Sequence, residues 1–535
     1  MSAHGWITTT LILLPLGGAL LLWLVPMPRV WIAPTALLLS LFEIGFWIEA
    51  LVRFDFSKGG LQESSRLNWL EDLGVSYHVG MFEGFSIWLV GLAAVVMAAS
   101  VAYGMWAGRD RPRAYYGLML FLTGAIVGAF TAQDLLLFYV FWEAMLIPLY
   151  VLVGVWGGPR RLQATIKFVI YTMVGSLLML AAVIVYGLQQ GTFSMIAGGT
   201  STSNWIFLGF TAAFVVKAPL FPFHGWLPDA YRESPPEVAA VLSGVVSKAA
   251  AFGFLRICFS LFPAPVHDLR TPILVLAAIG LVYGSLLAFR APDIRGVIAY
   301  SSLAQLGLVT LGLFATNDLG IDGAVLQMVN HGLISAILFM LAGGIERRAS
   351  TGQFDLLGGL ARGRPALATV LMATGIIALA VPGSTAFAGE FAILAGVFSQ
   401  GWFYAAVGAV AIVLAAMYML RMISAVLHDR QGPAVSESAL DLRKGELAIL
   451  VPLVAILLFL SAWPAAISDR VSAATRYSVT QKVTAIGEGG LVGQGGFDLT
   501  GGPQGINPID TPKACVQYEN DPNQLLDCII RAVSK

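Results

Sequence analysis

Charge and cysteine are what this chain has least of. Of its 535 residues only 12% are charged, about half the ~25% usual in a soluble domain, while 57% are hydrophobic. Basic and acidic residues number 31 each, so the net charge is zero and offers no ground for a nucleic-acid partner. There are three cysteines, with neither a CxxC pair nor a Cys/His metal spacing, and no metal site is expected. Cys258 lies in an apolar run and reads as packing. Cys515 and Cys528 fall in a polar C-terminal tail and would form a disulfide only if that tail meets an oxidising compartment. Phosphate loops are missing too: Ala197-Gly198-Gly199-Thr200 has no lysine after it, and there is no nucleotide fingerprint. No polar stretch before residue 469 is long enough to bury a soluble core. The first apolar run contains Pro15, Gly17 and Gly18 and has its basic end, Arg29, behind it, the reverse of a cleaved signal peptide.

What is present is apolar sequence in lengths of about 20 residues, the span of a bilayer helix. Fourteen candidate spans follow: 6–25, 30–52, 82–106, 114–132, 134–156, 164–189, 204–224, 236–262, 270–290, 293–315, 321–345, 366–398, 401–427 and 446–468. The expected fold is therefore an all-α polytopic membrane protein. The seventh and twelfth spans are broken, one by Pro219 and Pro222, the other by Pro382-Gly383-Ser384, since proline removes a backbone donor and clashes with the preceding turn.

Alternate loops carry Arg29, Arg109, Arg111, Arg113, Arg160, Arg161, Arg232, Arg290, Arg295, Arg347, Arg348, Arg362, Arg364, Arg430, Arg443 and Lys444, and the opposite loops only Arg53, Lys58, Arg66 and Arg270. The basic side is expected to face the cytoplasm, which places both termini outside it. Helix count and break position suggest two five-helix units, 111–265 and 266–430, each broken in its fourth helix. Five is odd, so the second unit would be inverted, a recurring transporter design. Residues 1–110 form a three-helix preface, 431–468 hold the last span, and 469–535 are a polar tail with a short apolar stretch at 525–533.

Four charged residues sit deep in apolar runs: Glu143, Lys217, Lys248 and Glu390. Intramembrane charges are costly and usually mark ion or proton pathways. Lys217 adjoins the first break and Glu390 the second; freed carbonyls and trapped water at a break can solvate a charge. Glu143 needs a cationic partner to stay ionised, and a lysine on another helix would supply it, either as a structural ion pair or as a switchable one. Glu237, eleven residues before Lys248 on the same helix face, reads as an interfacial charge. His224 and His331 are intramembrane, where a neutral imidazole suits either packing or a proton relay. His4, His78, His267 and His428 lie in loops or at helix ends.

Phe141-Trp142-Glu143-Ala144-Met145-Leu146-Ile147-Pro148 resembles the fifth-helix signature of the antiporter-like subunits of respiratory complex I. Lys217-Ala218-Pro219-Leu220-Phe221-Pro222-Phe223-His224-Gly225-Trp226-Leu227-Pro228-Asp229-Ala230 is similar to the most specific motif of that family, and Asp293–Ser302 and Met328–Gly332 also fit. Over about 80–470 the chain is identified as a member. Pro382–Phe391, with a glutamate where sister branches have lysine, looks like the M-type branch of NADH-quinone oxidoreductase subunits.

The resemblance implies a proton-translocating membrane-arm subunit in a bacterial inner membrane, beside L- and N-type neighbours. Glu143 and Lys217 would form the input pair, Lys248 the link, His331 a relay, and Glu390 the exit carrier, and His224 is placed with them on the proton path. It also implies no flavin, iron–sulfur cluster, NADH or other cofactor in this chain. Three positions depart from the family pattern. Gln305 and Tyr231 stand where histidine is common, and Ser234-Pro235-Pro236-Glu237 replaces the common Ala-Pro-Thr. They leave open a subunit of a multisubunit cation/proton antiporter or of a membrane-bound hydrogenase.

Overall fold

A computed structural model describes residues 5–475, apart from 71–73, 429 and 437. The expectations for Cys515, Cys528 and the stretch 525–533 lie outside the described residues. Of the described residues 76% are helical, and twelve of the described helices are long and apolar enough to cross a membrane. Helices dominate because a spanning segment must satisfy its backbone internally.

In order they are α1 (Trp6–Leu24), α2 (Arg29–Arg53), α3 (Glu83–Ala107), α4 (Pro112–Thr131), α5 (Leu135–Ala144), α6 (Leu146–Trp156), α7 (Arg161–Gln190), α8 (Asn204–Lys217) and α9 (Leu227–Glu233). One continuous helix, Pro236–Leu261, follows as α10 (Pro236–Val241), α11 (Lys248–Gly253) and α12 (Phe259–Leu261), joined by π-helical turns at Leu242–Val246 and Phe254–Cys258. Then come α13 (Pro263–Arg290), α14 (Ile294–Phe314), α15 (Asp318–Ala349), α16 (Pro365–Ala378), α17 (Thr385–Phe398), α18 (Trp402–Leu427), α19 (Lys444–Ala462) and α20 (Ala465–Thr475).

Start signals are local. Proline opens α4, α10, α13 and α16, where its missing N–H costs nothing. Side-chain caps open others: Asp134 accepts from the Leu136 and Leu137 amides, and Asn317 from Gly320, satisfying donors that a helix start leaves orphaned.

The all-α expectation needs one correction, an antiparallel hairpin of β1 (Leu61–Leu70) and β2 (Val75–Phe82) between α2 and α3. Val75, Tyr77, Val79 and Met81 alternate with Ser76, His78 and Gly80, a period of two that suits a strand. The last span is also shorter than expected: α19 stops at Ala462, and Trp463-Pro464 turns the chain into α20, packed on α3 and α15.

Two helices form the axis. Throughout the membrane-crossing stretches of Pro236–Leu261 and Asp318–Ala349 every residue is buried, against 22% in α2. Gly244 and Gly332 bring them together: a Cβ on either glycine would lie under 3 Å from the other's carbonyl oxygen. These axial helices carry Lys248 and His331.

Both breaks fall where the prolines and glycines put them. After α8 the Leu220 amide reaches back to the Val215 carbonyl, and the Trp226 indole N–H donates to Val216 O at 2.9 Å. Val215 O, which Pro219 leaves without a helical donor, and Val216 O, which the shifted Leu220 amide leaves, are thus satisfied. After α16, Gly383 has φ of +94°, a conformation glycine adopts without strain. Ser384 caps α17, and Ser461 Oγ of α19 accepts from the Thr385 amide at 3.1 Å.

Candidate functional site

The site is built from the axial pair outward. At the π turn Leu242–Val246 the Ser247 amide bonds Leu242 O, one residue further back than in an α-helix. That leaves the Ser243 carbonyl to receive the Lys248 ammonium at 2.5 Å and the Ser247 hydroxyl at 2.8 Å. Lys248 is fully buried, and its Nζ also lies 2.8 Å from His331 Nδ1. The other imidazole nitrogen, Nε2, is 3.2 Å from Ser302 Oγ on α14, which bonds Ser243 Oγ at 2.8 Å. Lysine, imidazole and three hydroxyls therefore form one connected cluster between the Lys248 helix, α14 and α15.

A second cluster surrounds Glu390 on α17. Gln305 Nε2 donates to Glu390 Oε1 at 2.9 Å and Gln327 Nε2 at 3.3 Å, while Gln327 also donates to Gln305 Oε1 at 2.8 Å. Asn330 donates to the Thr385 carbonyl at 2.9 Å and accepts from its hydroxyl at 2.8 Å. The second helix break is thereby tied to the residue next to His331. Glu390 Oε2 is buried without a hydrogen-bond partner. Glu390 also lines a small cavity shared with His331, Ser301, Gln305, Gln327 and Tyr418. Polar groups on its wall suit water there, and the cavity is common to His331 and Glu390.

Lys217 and Glu143 form the remaining part. Lys217 ends α8 and is 5% exposed. No hydrogen bond or ion pair joins it to Glu143. Its ammonium instead sits over the Trp142 indole, 3.9 Å from the ring centroid, a cation–π contact that strengthens when desolvated. The two meet without a salt bridge: the Trp142 ring lies over the ammonium, and Glu143 acts on Lys217 through space. Glu143 itself is half-buried, toward the side of the bundle.

Of the six expected residues, the structure connects Lys248 with His331 directly and Glu390 with His331 through the cavity. Lys217 belongs to α8, which packs on α11. His224 joins neither cluster: half-buried, it packs against Phe221 and Tyr283 with Nδ1 unbonded. Gln305 holds Glu390 directly, and Tyr231 donates to Leu242 O at 3.3 Å beside the π turn.

Glu237 is not an interfacial charge. It is fully buried, gripped by Arg109 through two bonds of 2.6 and 2.7 Å and by the Tyr115 hydroxyl at 2.5 Å. Sequence reasoning missed Gln327, Ser302, Tyr418 and Arg256. It also missed Glu43 on α2, a buried carboxylate with neither oxygen bonded. One signal was available for α15: Gln327, Asn330, His331 and Ser335 repeat at three- and four-residue spacing, a polar stripe on an apolar helix.

Fold and site together define a polytopic membrane protein with buried titratable groups linked across broken helices, the build of an ion-translocating subunit. Residues 132–417 match the model of the family described as NADH:quinone oxidoreductase/Mrp antiporter, transmembrane, and the chain belongs to that family. It is 33% identical over 447 residues to NADH-quinone oxidoreductase subunit M of Rickettsia typhi, covering 82% of this chain and 90% of that one. A chain of respiratory complex I from Thermus thermophilus with bound NADH superposes with a TM-score of 0.82 at 28% identity, over 89% of this chain and 99% of that chain. A chain of the Mrp complex from a Dietzia species shares the fold, with a TM-score of 0.79 at 21% identity over 91% and 99%.

Proposed function

We propose that this chain is a proton-translocating, M-type membrane-arm subunit of a bacterial NADH:quinone oxidoreductase. The observation that carries the reading is the row from Lys248 to His331 and the small cavity that His331 shares with Glu390. Lysine gives up a proton to imidazole; imidazole accepts at one nitrogen and releases from the other; water in the cavity passes the proton to the carboxylate. Gln305 and Gln327 orient Glu390 without titrating.

Lys217 is the entry store, held over Trp142 and governed by Glu143 through space. A half-buried carboxylate in mid-span is costly against lipid, so a neighbouring subunit is expected to cover Glu143, and its charge then sets the grip on the Lys217 proton. L- and N-type antiporter-like subunits are the partners proposed, within the lipid membrane. The arginine-rich end faces the cytoplasm and the hairpin end the opposite side, by the charge bias of the loops. The units 111–265 and 266–430 are read as inverted repeats, with Lys217 and Glu390 beside corresponding breaks. Quinone reduction belongs to other subunits, and this chain needs no cofactor of its own.

The test uses inverted membrane vesicles carrying Glu143→Gln, with NADH-driven proton uptake and NADH:quinone electron transfer followed together. Both are expected to fall in parallel, because a coupled pump cannot turn over with its entry blocked. If both are unchanged, the reading fails, and sodium-dependent transport would then point to a cation/proton antiporter.

A further inference from the structure

The helix that carries Lys248 does not end at the lysine. It continues through the π turn Phe254–Cys258 to Leu261 at the hairpin end, and Arg256 lies eight residues on, about 12 Å along the axis. A proton on Lys248 therefore has two directions open in principle: sideways to His331, or straight on to the hairpin end. Taking the second would bypass Glu390. We infer that this half of the helix is a built proton barrier, an aromatic plug sealed by the Arg256 guanidinium, which leaves His331 and Glu390 as the only outlet. The inference rests on the proton-translocating reading above.

Phenylalanines surround the segment just past Lys248. Phe252 meets Phe85 and Phe130 at centroid distances of 5.7 and 5.3 Å, and Phe254 meets Phe214 and Phe314 at 5.2 and 5.1 Å. Phe85, Phe130, Phe252 and Phe254 are all fully buried. Rings so packed present an apolar surface to water and protons, and hydrophobic constrictions of this kind close channels by dewetting.

Arg256, 1% exposed, closes the far end. Its Nε and Nη2 donate to Gln133 Oε1 at 3.1 and 2.7 Å, and the guanidinium lies 3.8 Å from the centroid of Phe82. Gln133 is anchored in turn, its amide donating to the Gly80 and Thr131 carbonyls at 3.0 and 3.1 Å. Its own backbone bonds His78 of β2 and Met195. The arginine is thus fastened to the hairpin, the end of α4 and the loop after α7 at once. A guanidinium keeps its proton under physiological conditions and glutamine does not titrate, so neither can pass a proton on. A fixed cation also repels an arriving one, a device used in other proton-excluding pores. Glu83, at the hairpin-end start of α3, acts on the guanidinium through space and supplies the counter-charge that makes its burial tolerable.

The test needs no NADH. The assembled complex containing this chain is placed in proteoliposomes, a potassium diffusion potential is imposed with valinomycin, and passive proton entry is read with trapped pyranine. Arg256→Met, which removes the fixed cation, is expected to raise the passive flux at least about threefold. Wild-type flux in Arg256→Met overturns the inference. Should Arg256→Met fail to assemble, Phe252→Ala carries the comparison: it opens the plug without touching the arginine anchor, and an unchanged flux there is equally fatal. Because electron transfer plays no part in this readout, its failure is distinct from a failure of Glu143→Gln to affect pumping.

Discussion

Replacing His331 with alanine separates the relay reading from a packing role. The imidazole is 4% exposed and joins Lys248 Nζ at 2.8 Å to Ser302 Oγ at 3.2 Å. In His331→Ala the lysine keeps Ser243 O and Ser247 Oγ but loses its only neighbour able to take a proton on one nitrogen and release it from another. A hydrogen bond to a charged group is worth about 1.5–3 kcal/mol. If that whole amount enters the barrier for leaving Lys248, the rate falls by about ten- to a hundredfold. The next polar groups toward Glu390, Gln305 and Gln327, cannot carry the proton in place of the imidazole.

His331→Gln is the control, since it fills most of the space and can still hydrogen-bond. If His331 only packs, glutamine restores function; if it relays, glutamine fails as well. NADH-driven proton uptake and quinone reduction in inverted vesicles give the rate, and melting of the purified complex reports whether it is intact. More than half the wild-type pumping in both variants, with the complex assembled, would refute the relay.

Two further outcomes are expected. Arg109→Ala strands the fully buried Glu237 carboxylate and should cost about 3 kcal/mol, the low end for breaking a buried pair, because Arg109 keeps 20% side-chain exposure; thermal melting of the complex measures it. His78 on β2 is held at about 4, below its ordinary 6.5, chiefly by burial and then by the charges of Arg66 and Arg256. A histidine kept neutral in the fold stabilises fully above the unfolded value and loses that contribution as pH falls from 6.5 toward 4. Amide protection factors in the strands 61–70 and 75–82, corrected for the intrinsic exchange rate, should therefore fall below about pH 6, and His78→Gln should remove that dependence.

The spans and both breaks were legible because their causes are local. Twenty apolar residues in a row must cross a bilayer as helix, and Pro219, Pro222 and Gly383 act on their own turns. The buried charges could be picked out for the same reason, each standing alone in an apolar run. The hairpin was less visible, since a two-residue period over a single eight-residue strand is faint beside helices of twenty or thirty. Glu237 was misread because its distance from the helix start suggests an exposed end, whereas Arg109, 128 residues away in sequence, reaches over to bury it.

By itself, then, the sequence determined a polytopic helical membrane protein, its two interrupted helices and the four charges within it. Only the tertiary structure decided what each charge touches. Trp142, not Glu143, covers the Lys217 ammonium; Lys248 meets His331; Gln305 and Gln327 hold Glu390; and Arg256 locks onto Gln133. Hydropathy and proline act within a few residues, but these contacts join helices dozens to more than a hundred residues apart. Which side chains meet there depends on how each helix is rotated and where it crosses its neighbour, and only packing of the whole bundle sets that.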